Sequence, residues 1–275
     1  TLFRSAVHLI ETHGDSPFYL NLAHYAVHTP LGAKPELEKK YEALADSSYF
    51  QHNATYAAMI QSVDESLAKL LAALERKGIL DNTLIIVTSD NGAVHRISGS
   101  YPLRKGKGSE YEGGVRVPLI TYWKGHILPN QRNSTPVITM DLFSTVLDVA
   151  CVELKDEKVD GISLLPVIKG EDLKVRPLFW HYPHYHNGGA RPYSSVRLGE
   201  WKLIKQYETH TYELYNLKED IGEKEDLSKK NPDKVNELRG ILEKWLKNVD
   251  AQLPFANANW NSEKERKTGK YAGVD

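Results

Sequence analysis

Among the 275 residues, the group best suited to chemistry begins with an adjacent aspartate and asparagine, in Ser89-Asp90-Asn91-Gly92. A carboxylate beside an amide offers two hard oxygen ligands, which suit Ca²⁺ or Mg²⁺ better than zinc. Gly92 would let the backbone turn tightly around such an ion. The same residues are also typical of a simple turn that ends a strand, so both interpretations stay open here.

Two lysines set between glycines form a second group. The segment Pro102-Leu103-Arg104-Lys105-Gly106-Lys107-Gly108 continues through Ser109-Glu110-Tyr111-Glu112-Gly113-Gly114 to Pro118. Such a loop can hold an anion between lysine ammonium groups and backbone N–H groups. A solvated basic loop is the alternative. A P-loop is excluded, because its glycine spacing before Lys-Ser/Thr is absent.

Five other side chains are candidates for binding or proton transfer. His28 follows an apolar run and precedes Thr29-Pro30. His95 and Arg96 come shortly after the Asp-Asn pair, while His181 and His184 lie in an aromatic stretch. An ordinary hydrogen-bonded or surface side chain is the alternative for each of them.

Strands and helices must position these groups. The apolar run Phe18–Ala23 predicts a strand that ends near His28, and the β-branched run Leu84–Thr88 predicts a core strand that leads to Asp90. Between them, apolar residues at three- and four-residue spacing predict a helix over Thr55–Lys77. Strand, helix and strand in this order predict a parallel unit with a right-handed crossover, whose carboxyl edge gathers functional residues.

The remaining pattern predicts an α/β protein with a second, smaller part. Part of 35–48 is expected to be helical, 92–114 a loop, 115–123 a strand and 139–151 a helix. After about residue 172, short β-like runs indicate an antiparallel meander, at 178–182, 193–198, 201–206 and 211–217, and Asn231-Pro232 opens a helix to about Val249. We therefore expect an α/β domain over residues 1–172 and an α+β subdomain over 173–275.

Composition excludes several classes of protein. The chain has 35 Lys and Arg against 36 Asp and Glu, a net charge of −1, which argues against a nucleic-acid binder. A single Cys excludes an internal disulfide framework, and no apolar run is long enough for a membrane helix. Residues Thr1–Ser5 are set aside as a candidate non-native scar.

Taken together, the motifs resemble those of the type I sulfatases of the alkaline-phosphatase superfamily. Phe18 to Pro30 is similar to a strand ending in His-x-Pro, Thr88 to Gly92 to a Ser-Asp-Asn-Gly metal motif, and Pro102 to Pro118 to a Pro-Leu-Arg-x-Gly-Lys-Gly signature. Stretches at 180–185, 197–204 and 213–217 resemble the family's C-terminal subdomain. The resemblance implies an alkaline-phosphatase-like mixed or parallel sheet sandwiched by helices.

The resemblance also implies a reaction, the hydrolysis of a sulfate ester by a hydrated formylglycine. Asp90 and Asn91 would coordinate Ca²⁺, Lys107 would contact sulfate oxygens, and His28 would bind the sulfate and assist the leaving-group oxygen. Lys105 stands where the family commonly has Gly. His184, His181, His95 and Arg96 would face the substrate. The family pattern also disfavours a zinc site at His181, His184 and His186.

The nucleophile is expected upstream of residue 1. It belongs to a Cys/Ser-x-Pro/Ala-x-Arg motif, and Cys151 lacks the required Pro or Ala and Arg. We expect Cys151 to be a buried structural thiol at a helix end. The chain is thus expected to be the C-terminal part of a longer enzyme, inactive alone, with only two of the roughly six ligands that Ca²⁺ needs.

Sulfated carbohydrate or aryl sulfate is the expected substrate, with no nucleic acid or membrane partner. The resemblance implies a periplasmic or secreted enzyme. A phosphoesterase or phosphonate hydrolase of the same superfamily is an alternative, as is a non-catalytic sugar-binding relative. The motif around Lys107 and His28-Thr29-Pro30 favours the sulfatase.

Overall fold

The computed structural model describes residues 2–153, 158–186 and 189–257. The chain forms two compact units. Unit 1 comprises the residues up to Thr88 together with Arg96–Ser98 and Leu119–Gln131. Unit 2 comprises Ser89–His95, Gly99–Pro118 and the described residues from Arg132 onward. The motifs at Asp90 and Lys107 therefore group with the C-terminal sheet, and the domain division at residues 172 and 173 stays a prediction.

Unit 1 is built on three helices, α1 (Leu2–Thr12), α2 (Pro35–Glu42) and α3 (Ala54–Arg76). Asn53 caps α3, because its side chain accepts a hydrogen bond from the Tyr56 N–H. Ala6 and Ile10 of α1 pack on a buried stripe of α3, which is formed by Leu70, Ala73 and Leu74. The predicted helix at 55–77 is confirmed. Residues 2–5, set aside above, belong to α1.

The predicted parallel unit does not form among the described residues. A short 3-10 helix (Leu80–Asn82) leads to β1 (Ile85–Thr88), which pairs antiparallel with β2 (Leu119–Tyr122), Ile85 opposite Tyr122. The strand predicted at 115–123 is thus confined to its second half. Pro118 has no N–H to donate to a ladder, which fits a strand that begins after it.

The strand predicted at Phe18–Ala23 is also wrong. The segment is irregular, although alternate residues are partly buried and Phe18, Leu20 and Leu22 pack against the α1–α3 core. Alternating burial indicates an extended chain that is covered on one face, whereas a strand also needs a hydrogen-bonded neighbour. No strand in the described ranges pairs with this segment.

Unit 2 contains the four-stranded antiparallel sheet that the sequence predicts. Its strands lie in sequence order, β3 (Pro177–Tyr182), β4 (Tyr193–Leu198), β5 (Trp201–Gln206) and β6 (Thr211–Asn216). A long helix (Pro232–Asn248) follows, as predicted. One face of the sheet packs on this helix through a fully apolar layer, comprising Val196, Leu203, Leu214, Leu238, Leu242 and Leu246.

The other face of the sheet carries polar and charged side chains. Arg197, Lys202 and Tyr215 are paired in register across β4, β5 and β6. Lys202 is 0% exposed, so this face is covered as completely as the apolar one. The segment that covers this face is the one that contains Lys105 and Lys107.

That loop is less irregular than expected. Two single-turn helices, α4 (His95–Ser98) and α5 (Glu112–Val115), interrupt the segment predicted as loop. Further along lie α6 (Met140–Val149) and α7 (Leu165–Ile168), and the helix after β6 is α8. Helices, a sheet and antiparallel pairing together confirm the α/β class.

Cys151 is exposed, so the prediction of a buried thiol is wrong. It follows α6 with a left-handed φ of 54°. The Val152 N–H bonds to the Leu147 carbonyl at 2.9 Å and the Cys151 N–H to the Asp148 carbonyl at 3.1 Å. This is the helix-closing arrangement in which the left-handed residue is usually glycine, and it turns the Cys151 side chain away from the apolar face of α6.

Candidate functional site

The Asp90-Asn91 turn lies directly after β1. Asp90 is exposed and Asn91 is half-buried. The Ser89 hydroxyl donates to the Asn91 carbonyl at 3.0 Å, and the Asn91 side-chain amide donates to the Gly92 carbonyl at 3.1 Å. With its NH₂ group engaged, the Asn91 amide oxygen is available as an acceptor beside the Asp90 carboxylate.

Backbone hydrogen bonds hold the lysine loop, residues 104–114, against this turn. The Lys107 N–H donates to the Ala93 carbonyl at 2.8 Å, and the Gly92 N–H donates to the Gly114 carbonyl at 2.9 Å. A Cβ on Gly92 would lie 1.8 Å from the Gly113 carbonyl oxygen, so only glycine fits at this crossing. The segments that carry the predicted metal ligands and Lys107 are therefore adjacent.

Arg104 ties the start of the lysine loop to the sheet. Its guanidinium lies 3.8 Å from the centroid of the Tyr111 ring and donates to the Tyr215 hydroxyl at 2.9 Å and to the Glu223 carbonyl at 2.9 Å. The Tyr111 and Tyr215 hydroxyls both donate to Glu213, at 2.9 and 2.6 Å. Burial, together with Glu213, raises the pKa of both tyrosines, so they remain donors throughout the physiological pH range.

A buried ion cluster ties down the other end of the loop. The Lys202 ammonium lies 3.0 Å from a Glu112 carboxylate oxygen and 2.9 Å from a Glu223 carboxylate oxygen. The second Glu223 oxygen accepts the Glu112 N–H at 2.6 Å. Arg197 and Arg116 approach Glu112 at 3.5 and 3.4 Å. Sequence reasoning missed this cluster, because its members are distant in sequence.

The pKa values of the two carboxylates in the cluster are shifted in opposite directions. Burial opposes the charged form of Glu112, but Lys202 and the two arginines outweigh it and lower the Glu112 pKa. Burial dominates at Glu223 and raises its pKa, against the opposing effect of Lys202. Glu112 is therefore the stronger acid of the two.

Two histidines, His95 and His186, lie close to glycines of the lysine loop. A Cβ on Gly106 would lie 3.1 Å from the His95 Cβ, and one on Gly108 would lie 2.1 Å from His186 Nδ1. His95 is among the predicted substrate contacts, whereas His186 is not. His184 is exposed, and its ring lies edge-on to Tyr182 at 5.4 Å, so its proposed substrate contact stays a prediction.

His181 is engaged at both ring nitrogens. Nδ1 lies 2.7 Å from the Ser194 hydroxyl and Nε2 lies 2.8 Å from the Gln252 carbonyl. The carbonyl can only accept, so Nε2 carries the hydrogen and Nδ1 accepts from Ser194. His181 thus links β3 to the segment after α8, and this arrangement leaves it no ring nitrogen for a substrate.

His28 and Arg96 belong to unit 1. Both side chains are exposed. His28 Nδ1 lies 2.7 Å from the Thr29 carbonyl, which fixes the hydrogen on Nδ1 and gives Nε2 the lone pair of the neutral ring. Their predicted roles are not tested by this geometry and stay predictions.

The stretch that leads into the lysine loop matches the letters of the nucleophile motif. Ser100-Tyr101-Pro102-Leu103-Arg104 fits Ser-x-Pro-x-Arg. The Ser100 hydroxyl is buried and has no hydrogen-bond partner among the described residues, and Arg104 is committed to the sheet. A buried hydroxyl cannot attack a substrate, so this stretch has the geometry of a structural segment.

The described residues hold an incomplete metal site at most. Within residues 2–153, 158–186 and 189–257, no three His, Cys, Asp or Glu side chains lie close enough together to hold a metal ion. Asp90 and Asn91 supply two oxygen donors, which fits part of a Ca²⁺ shell of six to eight ligands. None of the helices in these ranges is long and apolar enough to cross a membrane.

The arrangement of helices and sheets is that of an alkaline-phosphatase-like α/β protein. Residues 1–152 match the family model described as Sulfatase, and residues 106–252 match the model described as N-sulphoglucosamine sulphohydrolase, C-terminal. The first match covers more than half of the sequence. The chain therefore belongs to the sulfatase family, which implies a metal cofactor.

Relatives of known sequence agree with this assignment. A sulfatase of Formosa agariphila is 36% identical over 258 residues, which cover 84% of this chain and 46% of the relative. The uncharacterized sulfatase YdeN of Escherichia coli is 31% identical, with coverage of 89% and 49%. The chain thus spans about half the length of these curated relatives.

Solved structures give the same result. The crystal structure of Ps i-CgsB in complex with k-i-k-neocarrahexaose superposes with a TM-score of 0.80 at 32% identity, covering 98% of this chain and 59% of that one. A second structure, of a protein in complex with its substrate D-glucosamine-2-N,6-O-disulfate, gives a TM-score of 0.61 at 29% identity, covering 73% of this chain and 41% of that one.

Proposed function

We propose that this chain supplies the metal- and lysine-bearing part of a sulfuric ester hydrolase site. The observation that carries the proposal is the backbone junction between the lysine loop and the Asp90-Asn91 turn. It keeps the Lys107 backbone 2.8 Å from Ala93, two residues after Asn91. A cation held beside two hard oxygen ligands suits an anionic ester that also touches a metal ion.

In this proposal Asp90 and Asn91 hold Ca²⁺ through their side-chain oxygens, together with ligands from outside the described residues. When bound, the ion would polarise the S–O bonds of the ester. Lys107 binds the sulfate oxygens and stabilises negative charge in the transition state. His28 is proposed to bind the sulfate and to assist the leaving-group oxygen.

We further propose that the nucleophile lies outside these 275 residues. The curated relatives are about twice as long as this chain, and the structure buries the hydroxyl of Ser100. The 275 residues alone are therefore expected to release no sulfate. A protein that joins them to a formylglycine-bearing part is expected to do so.

The relatives support a sulfated carbohydrate as the substrate. One solved relative binds a neocarrahexaose and another binds a disulfated glucosamine. A rat steryl-sulfatase is 34% identical to this chain over 203 residues, so a non-carbohydrate sulfate ester is the second candidate substrate. We include export to the periplasm or medium in the proposal, and cell fractionation with an antibody against the chain would test it.

The test is sulfate release by the complete protein that contains this chain, with Ca²⁺ and either a sulfated oligosaccharide or an aryl sulfate. Lys107→Ala is expected to lower kcat by about 10²- to 10³-fold, the usual effect of removing a group that stabilises transition-state charge. Lys218→Ala is the matched control, because Lys218 makes an exposed ion pair with Glu200 and is expected to leave the rate unchanged.

Each other outcome would favour a different function. Release of phosphate instead of sulfate from matched esters would favour the phosphoesterase alternative. Binding of sulfated glycan without turnover, unaffected by Lys107→Ala, would favour a non-catalytic sugar-binding protein.

A further inference from the structure

Lys105 adopts a backbone conformation that is unusual for lysine. Its φ is 60°, in the left-handed region that glycine enters freely and that a residue with a Cβ enters at an energetic cost. The loop demands this conformation. A Cβ on Gly113 would lie 2.4 Å from the Arg104 carbonyl oxygen and 2.5 Å from that of Lys105, so the two backbone segments cross in close contact.

A glycine at position 105 would meet the same demand without strain. The lysine side chain therefore adds nothing that the backbone needs. Strained residues that are retained in this way concentrate at functional sites.

Other left-handed residues have local explanations. Cys151 closes α6, and Glu223 belongs to the buried ion cluster. Asn130, His210 and Asp250 are of types that enter this region more readily than most. Among the described non-glycine residues with positive φ, this leaves Lys105 unexplained by its own surroundings.

The charge of Lys105 is also uncompensated in the described part of the chain. The acidic groups of the same loop are engaged elsewhere, Glu110 with Gln206 and Glu112 with Lys202. The ion pairs of the described residues include neither Lys105 nor Lys107. Both lysines are half-buried, and only Gly106 separates them in sequence. The lysine loop thus presents two unpaired positive charges where one suffices for one sulfate group.

We propose that Lys105 binds a second anionic group of the substrate, next to the sulfate ester that Lys107 contacts. The preferred substrate is then a glycan that carries, besides the ester to be cleaved, another sulfate or a uronic-acid carboxylate. This inference rests on the proposed function, since it deepens the assignment of Lys107.

The test compares ligand preference by NMR titration at low ionic strength with Ca²⁺, in the complete protein that contains this chain, with its nucleophile replaced so that no probe is cleaved. The probes are glucosamine 6-O-sulfate, glucosamine N,6-O-disulfate and a 6-O-sulfated disaccharide that contains a uronic acid. The protein is expected to bind the best doubly anionic probe about two- to fivefold more tightly than the monosulfate, as one partly exposed ion pair allows. The two doubly anionic probes show whether the second group is sulfate or carboxylate.

Lys105→Gly should abolish this preference and leave the affinity for the monosulfate unchanged, whereas Lys105→Arg should retain the preference. Lys105→Gly should also raise Tm by a few degrees, because it relieves the left-handed strain. Loss of preference together with a higher Tm cannot be attributed to unfolding. His210→Gly is the control for strain alone, since it should raise Tm without changing the preference.

An equal preference in the parent protein and in Lys105→Gly would overturn the proposal, and so would the absence of binding by every probe. The readout uses no turnover. It can therefore succeed or fail separately from the sulfate-release test of Lys107.

Discussion

At the scale of single residues, Lys202 shows why a motif can depend on a distant position. Its ammonium is 0% exposed and contacts Glu112 of the lysine loop and Glu223, which follows β6. Removing one member of a buried ion cluster leaves the others charged and desolvated. The sequence around Glu112 therefore keeps its conformation only if residues about 90 and 110 positions away are also in place.

Lys202→Met is expected to destabilise unit 2 by about 3–5 kcal/mol, because it leaves two buried carboxylates without their ammonium. Lys218→Met, which breaks an exposed pair, is the control and should cost at most about 1 kcal/mol. Chemical denaturation followed by tryptophan fluorescence measures both. Equal losses in the two variants would contradict the role assigned to Lys202.

The pH dependence of stability should separate Glu112 from Glu223. Folding lowers the Glu112 pKa, so its stabilising effect is fully present above its ordinary value of 4.5 and is lost as the pH falls through the folded value. The destabilisation caused by Glu112→Gln should therefore shrink between about pH 7 and about pH 4.

Glu223→Gln should show the reverse trend, since folding raises the Glu223 pKa and its contribution is lost as the pH rises through that value. Urea midpoints across this pH range measure both variants. Parallel pH profiles would contradict the opposite pKa shifts of Glu112 and Glu223.

At the scale of elements, the lysine loop is shaped by close backbone crossings. Gly92, Gly113 and Gly114 all lie where a Cβ would overlap a carbonyl oxygen of another segment. The loop lies between the Asp90-Asn91 turn and the charged face of the sheet, and hydrogen bonds join it to both. An element held in this way tolerates changes at its exposed side chains far better than changes at these glycines.

Gly113→Ala is expected to destabilise unit 2 by several kcal/mol, because the new methyl group would lie about 2.4 Å from a carbonyl oxygen that cannot move away alone. Gly240→Ala is the matched control. It lies within α8, meets nothing within 4 Å, and should stabilise by about 1 kcal/mol through helix propensity. Thermal unfolding of the two variants should give shifts of opposite sign, and shifts of the same sign would contradict this account.

The elements were predicted with different success for physical reasons. Helix α3 and helix α8 bury one stripe each, and the strands β3–β6 alternate, with short turns joining β4, β5 and β6, so local periodicity suffices for them. Phe18–Ala23 has the same alternation but no paired neighbour in the described ranges. Strand pairing is a non-local property, and a single segment does not encode it.

At the scale of the whole molecule, each unit has its own core. The core of unit 1 joins α1 to α3, whereas unit 2 has an apolar core under α8 and a mixed core under the lysine loop. Tyr111 of the loop belongs to that mixed core together with Tyr193, Ile204 and Tyr215. The lysine loop is therefore anchored in the core of unit 2 through Tyr111.

Leu74→Ala in unit 1 and Leu242→Ala in unit 2 should each cost about 2–5 kcal/mol, because both side chains are buried in well-packed cores. Hydrogen exchange should show lost protection in the unit that carries the substitution. Leu9→Ala, at a position 44% exposed, is the control and should change stability by less than about 0.5 kcal/mol. Unchanged protection around Leu242 in Leu242→Ala would contradict the placement of the unit 2 core.

The sequence alone determined which residues are the candidates for chemistry and to which family this protein belongs. Asp90, Asn91 and Lys107 stand in short motifs whose residue types and spacing are readable without a structure, and the family assignment is confirmed. Helices and antiparallel strands followed from local periodicity for the same reason.

Only the tertiary structure decided what holds these residues in place. The cluster of Glu112, Lys202 and Glu223, the left-handed Lys105 beside Gly113 and the contact of His186 with the loop all join positions that no local pattern connects. Burial strengthens a charge pair and penalises an unpaired charge, and burial exists only once distant segments have packed. The energetics of the site therefore became visible only in the folded chain.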